Sequence, residues 1–372
     1  MKQRLDYLDN LRTALTILLI CFHTAIAYGA AGSWILVDVD TNEINITSIV
    51  LTIFTAVCQA FFMGLFFFIS AYFIPASFDR KGGKQFIRDR LIRLGIPLLV
   101  YYFFIGPMTV WFAQFHGKET IVEFYRSYVW SFKYTFFGPA WFLEASIYFA
   151  LLYALYRIVF RKSIGNAIRI RFPSSRIILF ATIALGLVAF VIRLVYPTGK
   201  GPLELQLGYF PSYIFLFVIG IIAYRNGWLD QIPEKLRRTW KWIGIGAIPV
   251  LPIALIATGG LEGDLKFEGG LNMQALSYAM WEPFVCMGIV ITLLTWFKRQ
   301  YNKAGKFLKW LSNNAYTVYL IHPPIIVGWT MAFQTVALPP FVKWILVSVL
   351  SIVACFGMGS VIRFIPGIKR IL

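Results

Sequence analysis

Apolar residues along this chain form long stretches that few charged residues interrupt. Each stretch is about 20 residues long, which is the length that a helix needs to cross the hydrocarbon core of a bilayer. Prolines stand at several stretch ends, such as Pro75 and the pair Pro339 and Pro340. The pattern predicts an all-α polytopic integral membrane protein of about ten transmembrane helices. The predicted spans are residues 11–30, 49–74, 92–114, 138–159, 177–196, 207–224, 241–258, 273–296, 312–332 and 342–362.

The composition supports a membrane protein. Hydrophobic residues make up 59% of the 372 residues and charged residues only 14%, whereas a soluble domain carries about 25% charged residues. This excludes a cytosolic enzyme, a secreted disulfide scaffold, a coiled coil and a disordered chain. No soluble domain, linker or repeat separates the stretches, so we expect one membrane-embedded domain over residues 1–372.

The distribution of charge predicts the orientation of the helices. A net charge of +18 would indicate nucleic-acid binding in a soluble chain, but basic residues also accumulate in the cytoplasmic loops of membrane proteins. If the N terminus is cytoplasmic, the outward loops hold few of the 35 Lys and Arg. Those few are Lys118, Arg126, Lys133, Arg193, Lys200, Lys266 and Lys343. We therefore expect both termini in the cytoplasm, a multi-pass protein of the cell membrane among its lipids, and no nucleic-acid partner.

The four cysteines do not indicate a metal or disulfide site. They lie inside apolar stretches, with no CxxC pair and no His/Cys cluster. We expect no bound metal.

Ionisable side chains at membrane depth are unfavourable, so each one is a candidate functional residue. His23 follows Arg12 in the first predicted helix at a distance of about 16 Å along the axis, with Arg12 near the cytoplasmic surface and His23 near the midplane. A neutral imidazole can accept a hydroxyl proton as a general base. The alternative is a core histidine that only bonds a neighbouring helix.

Arg90 and Arg93 form an R-x-x-R pair where a basic loop enters the third predicted span. A spacing of three places both guanidinium groups on one helical face, and such groups bind phosphate in a bidentate manner. The pair therefore suits a phosphorylated cytosolic ligand. The positive-inside rule alone would also explain arginines in this loop.

Two further groups are predicted at a depth similar to that of His23. Glu144 lies about 9 Å below the outer interface, where a carboxylate could orient an imidazole or be a merely capped side chain. His322 precedes Pro323 and Pro324. Each proline lacks an N–H and leaves one backbone carbonyl without its helical hydrogen bond, and at membrane depth such a carbonyl is tolerated only where it faces protein or a cavity. Glu282, next to Pro283, is a weaker case of the same kind.

Several of these residues resemble the motifs of the membrane-bound acyltransferase family 3. Residues 4–23, RLDYLDNLRTALTILLICFH, are similar to its opening helix, whose signature is a basic residue, ten positions and a histidine, here Arg12 and His23. Its second signature, R-x-x-R at the third helix, matches Arg90 and Arg93. Similar stretches recur along essentially the whole chain, at residues 66–70, 93–97, 141–144 and 316–323.

The resemblance implies an enzyme that takes an acyl group, usually acetyl, from cytosolic acyl-CoA to a hydroxyl of a glycan, a lipid-linked sugar or another acceptor. It also implies that Arg90 and Arg93 contact the coenzyme A phosphates, that Arg12 helps to position this donor, and that His23 is catalytic. We expect Glu144 or His322 to hold the imidazole or the acceptor. The family includes subgroups that succinylate glucans, so the identity of the acyl group stays open. Whether the acyl group is transferred directly or through an acyl-histidine intermediate also stays open.

Two other classes compete with the enzyme. Ten helices with intramembrane histidines and proline-broken spans also suit a transporter or flippase for a glycan or a small acyl-bearing metabolite. No repeat relates the two halves of the chain, however, and the arginine pair faces the nucleotide-rich side. A membrane scaffold would not need buried His and Arg. Self-association of the chain stays open.

Overall fold

The computed structural model describes residues 5–40, 45–160, 170–259, 265–303 and 305–371. These ranges are predominantly helical and contain no strand, which confirms an all-α polytopic membrane protein. Some basic residues behind the orientation prediction lie outside the described residues, namely Lys2, Arg4, Arg161, Lys162 and Arg169.

The α-helices of the described ranges follow the predicted spans closely. They are α1 (Asp6–Ala27), α2 (Ile46–Arg90), α3 (Ile96–Val100), α4 (Gly106–Val110), α5 (Ile121–Phe124), α6 (Trp141–Val159), α7 (Ser175–Arg193), α8 (Phe210–Asn226), α9 (Glu234–Ala247), α10 (Val250–Ala257), α11 (Met273–Gln300), α12 (Lys306–Phe333) and α13 (Pro340–Ile362). Wider π-helical turns at Leu91–Gly95 and Tyr101–Ile105 join α2, α3 and α4 into one helical run, which ends in a third such turn at Trp111–Phe115.

Eight helical runs among the described residues are long and apolar enough to cross a membrane. One of them, Ile46–Phe115, contains both the second and the third predicted span. The predicted span 312–332 lies in α12, and this helix is not among the eight. The total of ten spans and the cytoplasmic termini therefore stay predictions.

The break between the second and third predicted spans lies at a glycine rather than at a proline. Helix α2 continues through Pro75 and is interrupted only at Gly82, whose φ of 75° and ψ of 166° are not helical. Proline removes one backbone donor, which a membrane helix tolerates. A positive φ, by contrast, turns the chain and is accessible to glycine without a side-chain clash.

Polar side chains at the loop ends fix where several helices begin. The Asn45 side chain accepts the Ser48 amide while Ser48 Oγ accepts the Asn45 amide, both at 3.0 Å. The Asn272 side chain accepts the Ala275 amide at 2.8 Å at the start of α11. These bonds satisfy donors that the first helical turn leaves free.

The chain folds into two compact units. Unit 1 comprises the described parts of residues 1–11, 57–87 and 149–304. Within it, α11 packs against α7 and α9 around the fully buried Trp240. Arg157 and Arg225 bind the two Asp79 carboxylate oxygens at 2.9 and 2.6 Å, so that α2, α6 and α8 meet at one ion cluster.

Unit 2 comprises the described parts of residues 12–56, 88–148 and 305–372. Within this unit, α12 and α13 pack against each other along much of their length. The core includes Ile20 of α1, Val318 and Ile326 of α12, and Phe356 of α13. All six residues predicted as site residues lie in this unit. One membrane-embedded domain over residues 1–372 stays a prediction.

A short helix outside the predicted spans was missed. Helix α5 begins after Thr120, which forms a reciprocal pair with Glu123: Thr120 Oγ1 donates to the carboxylate at 2.7 Å and accepts the Glu123 amide at 3.3 Å. The Thr120 hydroxyl thereby lowers the pKa of Glu123. The T-x-x-E pattern is the sequence signal that could have revealed this helix start.

The close approach of α9 and α11 depends on glycine. A Cβ atom on Gly288 would lie 2.5 Å from the Gly244 Cα and 2.7 Å from the Trp240 carbonyl oxygen. We expect Gly288→Ala to destabilise the protein by about 1–3 kcal/mol through overpacking, measured as thermal unfolding in detergent.

Gly246→Ala on α9 is the matched control, because a Cβ atom there meets nothing within 4 Å. Its stability should be unchanged or slightly higher, since alanine favours a helix by up to about 1 kcal/mol over glycine. Equal stability of both variants would contradict the glycine contact.

Candidate functional site

Two imidazoles from different helices lie side by side in unit 2. The His23 ring of α1 and the His322 ring of α12 have centroids 5.2 Å apart and planes within 20° of each other. His322 is fully buried, whereas His23 is partly exposed. The structure thus brings together two residues that the sequence placed at a similar depth.

A backbone contact fixes the tautomer of His322. Its Nδ1 lies 2.6 Å from the Tyr319 carbonyl oxygen. Because a carbonyl only accepts hydrogen bonds, Nδ1 carries the proton and the Nε2 of the neutral ring carries the lone pair. Among the described residues, neither His322 Nε2 nor His23 Nδ1, both buried, has a hydrogen-bond partner. The pair therefore offers basic nitrogen in a buried place, which suits proton transfer.

A tryptophan that the sequence did not reveal covers this pair. The Trp34 ring lies parallel to the His23 ring, with centroids 4.1 Å apart and planes within 21°. Trp34 belongs to the segment after α1, where nothing in its spacing relates it to His23. Tryptophan is common near the end of a membrane span, so its place just after the first predicted span gave no signal, and only the fold could assign it to the site.

The segment that carries Trp34 is fastened at several points. Lys343 of α13 donates to the Asp38 carboxylate at 2.8 Å, and both side chains are largely buried. The Asp38 amide donates to the Ala27 carbonyl at 2.9 Å, and Gln114 donates to the Ile35 carbonyl at 2.8 Å. These bonds hold the segment, and with it Trp34, against His23.

Glu144 is buried in the first turn of α6. Its Oε1 accepts a hydrogen bond from the Tyr148 hydroxyl, one turn further on, at 2.7 Å. The carboxylate is therefore held in place by its own helix. A contact of Glu144 with the His23 imidazole stays a prediction.

The three predicted arginines differ in exposure. Arg12 lies in the second turn of α1 and Arg90 at the end of α2, and both side chains are partly exposed. Arg93 is exposed on the helical turn that follows. Arg93 lies on the π-helical turn Leu91–Gly95, and the guanidinium groups of Arg90 and Arg93 are close enough to repel each other. Their predicted contact with phosphate stays a prediction.

One line of side chains on α12 joins the parts of the site. Tyr316, Tyr319 and His322 are spaced by three residues and share one helical face. The Tyr316 hydroxyl donates to the Arg93 carbonyl at 2.6 Å, and the Tyr319 hydroxyl donates to the carbonyl of Pro139, just before α6. His322 lies about 9 Å from Tyr316 along the axis. The arginine pair and the histidine pair are thus both positioned from α12.

Unit 1 holds a separate buried ion pair. Arg193 donates to the Glu282 carboxylate and to the Gly208 carbonyl, with both charged side chains almost fully buried. The Tyr209 and Tyr278 rings lie 5.1 and 4.9 Å from the guanidinium carbon. The sequence assigned Arg193 to an outward loop, but the fold buries it to neutralise Glu282.

Metal ligands are not clustered in the part of the chain that the structure describes. No group of three or more His, Cys, Asp or Glu there could hold a metal ion.

Comparisons with known proteins identify relatives of the chain. The model of acyltransferase family 3, described as an acyltransferase domain, matches residues 5–359. Glucans biosynthesis protein C of Escherichia coli (strain K12) is 25% identical over 236 residues, which are 60% of this chain and 58% of that protein. The protein of the same name from Shigella dysenteriae serotype 1 gives the same values. The match thus spans less than two thirds of these relatives, and no solved structure matches.

The ion pair that fastens the Trp34 segment should matter for stability. Lys343→Met leaves the largely buried Asp38 carboxylate without its cation, and we expect a loss of about 3 kcal/mol. The double variant Asp38→Asn/Lys343→Met should regain most of this loss, because no charge is left unpaired. Thermal unfolding measures both, and an equal loss in the single and double variants would contradict the role of the pair.

Proposed function

We propose that this chain, which belongs to acyltransferase family 3, moves an acyl group from acyl-CoA to the hydroxyl of an acceptor at the His23–His322 pair. Acetyl is the acyl group that we propose, with succinyl as the alternative. The observation that carries the proposal is the pair itself: two adjacent imidazoles, with basic nitrogen in a buried place and one ring partly exposed. Such a pair can accept a hydroxyl proton.

The proposed reaction follows from the chemistry of imidazole. His23, the partly exposed ring, removes the proton of the acceptor hydroxyl. The oxygen then forms a bond to the thioester carbonyl carbon, and the carbon–sulfur bond breaks. Coenzyme A leaves as a thiolate and accepts from His23 the proton that came from the acceptor hydroxyl. His322, through its Nε2 lone pair, accepts a hydrogen bond from the acceptor and orients it.

The donor side of the proposal rests on the arginines. Arg90 and Arg93 bind the phosphates of coenzyme A, and Arg12 helps to position the donor. The bond from Tyr316 to the Arg93 carbonyl supports this arrangement, since it ties the arginine turn to the helix that carries His322. Glu144 has the role of holding the imidazole or the acceptor.

The acceptor follows from hydroxyl chemistry and from the relatives. A glycan or a lipid-linked sugar offers hydroxyls, and the relatives at 25% identity are named for the biosynthesis of glucans. We accordingly propose a glycan or another hydroxyl-bearing acceptor, with the cell membrane as the site of action.

Replacing the proposed base should abolish turnover. We expect His23→Gln to lower the release of coenzyme A from acyl-CoA about 100-fold or more, the contribution of a general base. The assay uses protein in lipid nanodiscs with acetyl-CoA or succinyl-CoA and a pool of glucan and sugar acceptors, and it follows the free thiol and the acylated product.

His116→Gln is the matched control, because His116 is exposed at the end of the helical run Ile46–Phe115, where its ring contacts Trp111 and Phe112. Its turnover should equal that of the parent. Parent-like turnover by a folded His23→Gln variant would refute the assignment. A folded parent that releases no coenzyme A, yet moves a glycan or acyl metabolite across liposomes, would establish the transporter instead.

The donor site has its own test in binding. We expect Arg90→Gln/Arg93→Gln to weaken the binding of coenzyme A at least tenfold, since two charge-assisted contacts are lost. Isothermal titration of purified protein measures the dissociation constant.

Lys84→Gln/Arg88→Gln removes the same charge from neighbouring exposed positions of α2. Its affinity should stay close to that of the parent if the R-x-x-R pair is a site. Equal weakening in both double variants would show only a general attraction of basic loops for a polyanion.

A further inference from the structure

The residue after His322 is a proline inside a helix. Helix α12 contains Pro323, which has no N–H and so cannot donate to the carbonyl four residues earlier, that of Tyr319. The structure shows what takes the place of this missing bond. The Tyr319 carbonyl instead lies 2.6 Å from His322 Nδ1, which can only donate to it.

We propose that Pro323 is a positioning residue that fixes His322 in the Nδ1–H tautomer by leaving the Tyr319 carbonyl free to accept the ring proton. The meaning of this tautomer for acyl transfer rests on the proposed function. The tautomer itself depends only on the backbone and can be measured without a substrate.

Burial makes the tautomer a strict choice. His322 is fully buried, so water does not replace a missing partner. In the other tautomer, the Nδ1 lone pair would face the Tyr319 carbonyl oxygen, and this carbonyl would no longer accept a hydrogen bond from the ring. The unfavourable pairing of two acceptors in a buried place selects the Nδ1–H form by about tenfold or more.

The selected tautomer decides which nitrogen is basic. With the proton on Nδ1, the lone pair is on Nε2, which is buried and has no hydrogen-bond partner among the described residues. The same ring lies beside the partly exposed His23, with centroids 5.2 Å apart. Pro323 therefore determines that a hydrogen-bond acceptor, and not a donor, is presented at the histidine pair.

The neighbouring proline provides an internal comparison. Pro324 also lacks an N–H, but the carbonyl that it leaves free belongs to Leu320. His322 Nδ1 lies 2.6 Å from the Tyr319 carbonyl oxygen, and the Val318 carbonyl is a second backbone partner of the ring, but neither of these carbonyls is the one that Pro324 leaves free. We therefore expect replacement of Pro323 to change the tautomer of His322 and replacement of Pro324 to leave it unchanged, although the two prolines are adjacent.

Nitrogen-15 solid-state NMR of the whole protein in lipid bilayers tests the proposal. The chain has only 3 histidines, so labelling histidine with ¹⁵N gives three rings, and His23→Gln and His116→Gln assign the third. At a pH where the ring is neutral, we expect the His322 proton on Nδ1 in the parent. A parent with the proton on Nε2 would overturn the proposal without the need for any variant.

The variants then test the role of the proline. Pro323→Ala restores an N–H that donates to the Tyr319 carbonyl, so the Nε2–H form should rise to at least half of the population. Pro324→Ala should leave the His322 signals as in the parent. A folded Pro323→Ala variant that keeps the Nδ1–H form, or an equal change in both variants, would overturn the proposal.

Turnover of acetyl-CoA separates this inference from the proposed function. Coenzyme A release should fall about tenfold in Pro323→Ala and stay unchanged in Pro324→Ala, because acceptor orientation is worth about this factor. If the parent releases no coenzyme A while the tautomer responds to Pro323 as described, the proposed function fails and the positioning role of Pro323 stands.

Discussion

The hydrogen bond between the His322 ring and the Tyr319 carbonyl is the interaction on which the candidate site depends. It orients a fully buried imidazole, sets its basic nitrogen and uses a backbone acceptor that the following proline leaves free. The same face of α12 bonds the turn at Arg93 and the segment before α6 through Tyr316 and Tyr319. Because one rigid helix makes all three contacts, the relative position of imidazole and arginine does not depend on loops.

The ion pair of Arg193 and Glu282 in unit 1 and the histidine pair in unit 2 differ in how their buried polar atoms are satisfied. In unit 1, Arg193 and Glu282 neutralise each other, and tyrosine rings flank the guanidinium. Such a pair is fixed, since removing one partner leaves a buried charge. In unit 2, His23 Nδ1 and His322 Nε2 are buried and have no hydrogen-bond partner among the described residues. A buried lone pair of this kind is unfavourable for stability alone and calls for a role in function.

The all-α fold and most of the helix positions could be predicted from the sequence because the length of an apolar stretch is a local property. Counting residues along a helix predicted a similar depth for His23 and His322, and the two rings lie side by side in the structure. Other features depend on tertiary contacts between distant segments. Nothing in the sequence around Trp34 indicates that it stacks on His23, and Arg193 looked like a loop cation until the fold placed it beside Glu282. Pro75 suggested a helix end, but the chain turns at Gly82 because only a positive φ redirects it there.

Trp34, which stacks on His23, bears on how the proposed acceptor could reach that histidine. Trp34 lies parallel to the His23 ring at 4.1 Å, and its segment is fastened by the ion pair of Asp38 and Lys343. Both rings are partly exposed. A flat aromatic face suits the apolar face of a sugar ring, whereas His322 is too deeply buried to be met first. Stacking on Trp34 is therefore compatible with the proposed glycan acceptor, which has both an apolar face and a hydroxyl edge.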